Sequence, residues 1–185
     1  MNVQGYPMLI KIYKGKERIL LNAIIEHAAG YSIDSDQFVN IQDIKNCAEI
    51  GRAVIQLVGY IQKSPLSILT PKELDQQKSW KEFSKYKSWI TFWKNHHFAW
   101  LHFYEDGHYK VYSMTKSERR KGSYYDIIKK INLSSESTIE DIGKAVLDVM
   151  AASEKYYANR TVSKNISSKT IALPDGTNLT IEHPK

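Results

Sequence analysis

An internal repeat constrains this chain more than any other feature. Residues 39–58 align without gaps on residues 131–150 at a constant offset of 92, with identities at Asn40/Asn132, Ile50/Ile142, Gly51/Gly143, Ala53/Ala145 and Val54/Val146. The string Glu-Ile-Gly-Arg-Ala-Val-Ile in the first copy answers Asp-Ile-Gly-Lys-Ala-Val-Leu in the second. Each copy runs from a short apolar strand, Phe38 to Ile41 or Ile127 to Leu133, through polar residues into a helix. Cys47, Ile50, Val54, Leu57, Val58 and Ile61 fall on one stripe of the first helix, and Ile139, Ile142, Val146, Val149 and Met150 repeat it. Two helices are therefore expected to lie on a sheet. A glycine inside a helix costs about 1 kcal/mol relative to alanine, so its recurrence at Gly51 and Gly143 predicts a close approach of helix and sheet backbone. Ser134, Ser135, Ser137 and Thr138 offer hydroxyl caps for the second helix, and Glu140 and Asp141 suit the positive end of its dipole.

Around the repeat the chain reads as antiparallel hairpins. Met8 to Tyr13 and Arg18 to Ile25 flank Lys14-Gly15-Lys16-Glu17, and Phe98 to Tyr104 and His108 to Met114 flank Glu105-Asp106-Gly107. Thr170 to Leu173 and Asn178 to Glu182 flank Pro174-Asp175-Gly176-Thr177 as a terminal hairpin. A short helix is expected over Lys72 to Tyr86 and a strand over Trp89 to Trp93. The polar stretch Tyr157 to Ser168 reads as a linker. The expected fold is α+β: a single domain with a mostly antiparallel sheet, hairpins and two main helices from a duplicated strand-helix unit. Residues 1–157 would form that domain, and 158–185 a linker and C-terminal hairpin packed on it.

Chemistry finds little support in the sequence. His96, His97, His102 and His108 cluster, but alternation places His102 beside Trp100 and Tyr104 while His96 and His97 point apart, a poor geometry for metal. Cys47 lies on the apolar stripe, as a buried and inert thiol would. Ser113 with His102 and Asp106 has no supporting motif, and no phosphate-binding glycine loop or Cys-x-x-Cys occurs. No catalytic residue, metal site or cofactor is expected. One cysteine, no signal-peptide pattern at the start and no long apolar run point to a cytoplasmic protein without membrane contact.

Two features point to macromolecular partners. Aromatic residues crowd the middle of the chain, and the strand from Phe98 to Tyr104 is apolar on both faces, so the sheet is either covered on both sides or offers one face to a partner. The net charge of +6 gathers at Lys110, Lys116, Arg119, Arg120, Lys121, Lys129 and Lys130. Such a surface suits either solvation or phosphate.

The run Ile131-Asn-Leu-Ser-Ser-Glu-Ser-Thr-Ile-Glu-Asp-Ile-Gly-Lys-Ala-Val-Leu-Asp-Val-Met150 resembles a segment found in the immunity proteins (CdiI) of bacterial contact-dependent growth inhibition systems. The resemblance extends through the aromatic hairpin to Trp80-Lys-Glu-Phe83 and back to the earlier strand-helix unit, covering roughly Phe38 to Tyr157. It implies a non-enzymatic cytoplasmic antidote that occludes a cognate CdiA C-terminal toxin domain, commonly a nuclease, with no direct contact to nucleic acid. Two departures stand out: the positive net charge does not suit a cationic nuclease groove, and the hairpin after Lys169 lies outside the match. Candidate toxin-binding residues are the aromatic anchors Trp89, Trp93, Trp100, Tyr104 and Tyr109, with Asp34 and Asp36 as an acidic contact. The alternative is an RNA- or single-strand-binding module that uses Lys116, Arg119, Arg120 and Lys121 beside the aromatic hairpin.

Overall fold

A computed structural model describes residues 7–27, 30–64, 86–116, 124–172 and 178–184. The fold is α+β, built on a six-stranded antiparallel sheet. Three strands, β1 (Met8–Lys14), β2 (Ile19–Glu26) and β3 (Ser32–Ile41), lead into helix α1 (Cys47–Lys63). After the short helix α2 (Trp89–Asn95), the strands β4 (His97–Phe103), β5 (Tyr109–Lys116) and β6 (Tyr124–Leu133) lead into α3 (Ile139–Asn165).

The duplication is larger than the aligned segment. Strand lengths of 7, 8 and 10 residues in the first half recur as 7, 8 and 10 in the second, and β3 and β6 match end to end at the offset of 92. The sheet order β3-β2-β1-β4-β5-β6 places β1 beside β4 in antiparallel register at the centre. Each half is thus a three-stranded meander followed by a helix, and the halves meet about an approximate two-fold axis between β1 and β4. Irregular pairing also recurs, at Asn22/Ile24 in the β2–β3 ladder and around Met114 in the β5–β6 ladder. In the first half the buried amide of Asn22 donates to the carbonyls of Ser35 and Gln37, both at 3.1 Å, which satisfies backbone oxygens freed by the bulge.

One face of the sheet carries both long helices. Ile10, Ile12, Ile19, Leu21, Leu101 and Val111 point into one core with Ile50, Val54 and Leu57 of α1 and Ile142, Val146 and Val149 of α3. The helix starts are capped as their sequences require. Asn46 accepts from the Glu49 amide at 3.0 Å, while Thr138 and Asp141 cap each other reciprocally, which holds the Asp141 carboxyl below its usual range.

The repeated glycines serve a different contact from the one expected. A Cβ on Gly51 would lie 1.9 Å from the carbonyl oxygen of Ile139, and one on Gly143 would lie 1.9 Å from that of Cys47. Cys47 and Ile139 are themselves related by the offset of 92, so each helix sets its glycine against the first residue of the other. Helix meets helix here, because the two-fold axis that pairs β1 with β4 also brings α1 and α3 together. Cys47, at this crossing, is half-buried rather than sealed in the core.

Other expectations are corrected. Trp89 to Trp93 is helical: Ser88 caps it by accepting from the Thr91 amide at 3.2 Å, and Trp89, Phe92, Trp93 and His96 follow helical spacing. Tyr157 to Ser168 is no irregular linker, since α3 continues to Asn165 and β7 (Ile166–Ala172) begins at once. The terminal hairpin forms as expected, with β7 paired antiparallel to β8 (Asn178–Pro184). By internal packing the chain divides into residues 1–153, which hold the sheet, and 154–185, which end in this hairpin. The expected helix over Lys72 to Tyr86 lies outside the described residues up to position 85, as do Trp80, Phe83, Arg119, Arg120, Lys121 and the turn Pro174 to Thr177.

Candidate functional site

The sheet face opposite α1 and α3 differs between its two halves. Near the centre, Phe92 of α2 is fully buried against Tyr13, Leu20 and Phe98, with Tyr86, Trp89 and Trp100 packed around them. Ring centroids lie 4.9 Å apart for Tyr13 and Phe92 and 5.3 Å apart for Tyr13 and Phe98. His96 joins this cluster by stacking on Phe92 and donating from Nδ1 to the Phe92 carbonyl at 2.8 Å. Burial lowers the His96 pKa to about 4, so it is neutral at pH 7.

Beyond this cluster the face becomes basic, aromatic and half-exposed. The register lines up Lys11, Trp100, Tyr112 and Lys130 in one row, and Leu9, His102, Lys110 and Asn132 in the next. Trp100 stands edge-on to Phe98, with 5.2 Å between centroids. The Lys11 ammonium sits 5.5 Å from the Trp100 ring centroid and forms an ion pair with Asp34. The Tyr112 hydroxyl and Nε2 of His102 share a hydrogen bond at 2.5 Å. Burial, followed by the nearby Lys110 charge, lowers the His102 pKa to about 4, so the imidazole is neutral at pH 7. Burial, reinforced by Tyr104, pushes the Tyr112 hydroxyl up to about 12. The Lys110 ammonium lies 4.5 Å from the Tyr104 centroid, and Tyr104 stacks on His108, which pairs with Asp106. The chain reversal that sets these rings side by side depends on Gly107, whose φ is 85°.

The structure separates the expected contact residues. Trp100 and Tyr104 lie together on this face, half-buried. Asp34, on β3, is linked to Trp100 only through Lys11, with which it forms an ion pair. Trp89 belongs to the α2 cluster, Trp93 is buried in α2, and Tyr109 is buried on the other side of the sheet beneath the helices. Asp36 is exposed and turns towards α1, where the Tyr60 hydroxyl approaches it at 3.5 Å. The sequence reading missed Lys11, Tyr112 and the partnership of His102 with Lys110. The last two follow from the β4–β5 hairpin register, whereas the Lys11 contact depends on the non-local pairing of β1 with β4.

Lys116 is already engaged by the protein. Its ammonium donates to the carbonyls of Trp93 at 2.6 Å and Lys94 at 3.3 Å, closing the C-terminal end of α2. Desolvation there lowers its pKa to about 8. It is therefore poorly placed for the phosphate contact expected of it. His96 and His97 do point apart, the latter reaching the Ser153 hydroxyl at 3.1 Å, and Ser113 is buried away from the face that carries His102. Among the described residues no three His, Cys, Asp or Glu side chains come together as a metal-binding group, and no helix is long and apolar enough to cross a membrane.

No family model and no curated protein matches this chain. Solved structures are similar in fold, two of them as follows. A protein of unknown function from Neisseria meningitidis matches with a TM-score of 0.59 at 12% identity, over 82% of this chain and 98% of that one. A chain of the CdiA-CT/CdiI toxin and immunity complex from Yersinia pseudotuberculosis matches with a TM-score of 0.59 at 9% identity, over 80% of this chain and 98% of that one. At such low identity, what the chain shares with both is its fold.

Proposed function

We propose that this chain is an immunity protein of contact-dependent growth inhibition, which binds a cognate CdiA C-terminal toxin domain in the cytoplasm and neutralises it by occlusion. The observation that carries this reading is the fold likeness to a chain of a toxin and immunity complex, spanning nearly all of that chain. In this reading the toxin is a nuclease, the antidote needs no cofactor and performs no catalysis, and Trp100 and Tyr104 anchor the interface. Trp and Tyr are enriched at the energetic centres of protein interfaces because they bury large areas at small entropic cost.

Co-expression with the C-terminal domain encoded immediately upstream tests the proposal. Restored growth and a co-purifying pair are the expected result. Continued growth arrest with no complex overturns the reading.

A further inference from the structure

We infer that the partner surface seated on the β4–β6 face carries carboxylates around an apolar centre, so that this protein docks on an acidic patch of its toxin. The inference rests on the immunity reading and adds the chemistry of the docking surface. Among the described residues the register places Trp100, His102, Lys110, Tyr112, Lys130 and Asn132 in two neighbouring rows of this face, with no Asp or Glu in those rows. Asp34 of β3 is neutralised by Lys11, Asp106 at the β4–β5 turn pairs with His108, and Lys116 closes α2. What remains is Lys110 and exposed Lys130 flanking half-exposed Trp100 and Tyr112, with Ile127 54% exposed. A second surface rich in Lys and Arg, such as a nuclease's substrate groove, would be repelled here, whereas carboxylates would be drawn in and oriented.

A protein fits this face better than RNA does. The available rings already have partners: Trp100 has Lys11, Tyr104 has Lys110 and His108, and Tyr112 has His102, which leaves no open ring ladder for successive bases. The two lysines available among the described residues would also make few phosphate contacts, and affinity for nucleic acid grows with the number of such contacts.

The test compares the full chain with its K110E/K130E variant by stopped-flow binding to the upstream-encoded toxin domain at low and high salt. Equal melting temperatures establish that both are folded. The inference predicts association at least about tenfold slower for the variant at low salt, with the difference shrinking as salt screens it. Unchanged or faster association, alongside intact wild-type binding and growth rescue, would overturn the acidic docking surface and leave the immunity reading standing. Failure of the wild-type chain itself to bind the toxin would overturn both. Binding of a fluorescent single-stranded RNA 12-mer by the wild type, lost in the variant, would assign the face to nucleic acid instead.

Discussion

On the helix-bearing side of the sheet, β2 presents Ile19, Leu21 and Ala23 while β5 presents Tyr109, Val111 and Ser113, and all six are buried. On the other side β2 presents Leu20, Asn22 and Ile24, again buried, but the corresponding β5 residues are Lys110, Tyr112 and Met114, all half-exposed. One face keeps the two-fold pattern because two helices must cross above it and a shared core tolerates little variation in volume. The other face is free of that demand in its second half, and there charged, aromatic and hydrogen-bonding side chains replace aliphatic ones. The repeat explains the fold, and the place where it breaks marks the candidate site.

The largest effect should come from the helix crossing. Gly51→Ala and Gly143→Ala each force a methyl into a carbonyl oxygen, and each should destabilise the protein by about 3 kcal/mol in chemical denaturation, well beyond any gain in helix propensity. Reciprocity sharpens the comparison further. The double variant should cost less than the sum of the two, because one separation of the helices relieves both clashes. Full additivity would show that the two contacts are independent.

Asn22→Ala should cost about 2 kcal/mol, since it strands the Ser35 and Gln37 carbonyls at the bulge of the buried half. The α2 cluster and the half-exposed face beyond it should both respond to acid. His96 and His102 have pKa values of about 4 when folded, against the 6.5 of an ordinary imidazole. Between these values the unfolded chain binds more protons, so stability should fall as pH drops from about 6.5 towards 4 and be fully present above that window. Replacing His102 with Gln should flatten part of that slope in melting curves taken across the window. Smallest of all, Gly59→Ala in α1 meets nothing within 4 Å and should stabilise by up to about 1 kcal/mol, in contrast to Gly51 in the same helix.

Much of this was legible in the sequence. The helix stripes, the caps and the β4–β5 hairpin are local patterns, and they predicted the layers of the fold. The 92-residue offset foretold the second helix but not the contact of its glycine, because a glycine records that something comes close without naming it. The aromatic density of Trp89 to Trp93 suggested a strand, although the Ser88 cap and the spacing of Trp89, Phe92 and Trp93 already fitted a helix. The site was harder to read. Lys11 reaches Trp100 only through pairing between strands from different halves, and Trp93 and Tyr109 look like surface anchors until the sheet order buries them.

The most direct test sets the two faces against each other in toxin affinity. Trp100→Ala, on the half-exposed face, and Arg52→Glu, on the exposed side of α1, would each be titrated with the upstream-encoded toxin domain after melting curves establish that both are folded. The account predicts that Trp100→Ala weakens binding by about 30-fold or more while Arg52→Glu leaves it nearly unchanged. Unchanged affinity in Trp100→Ala with binding lost in Arg52→Glu would contradict it and move the interface to the helices.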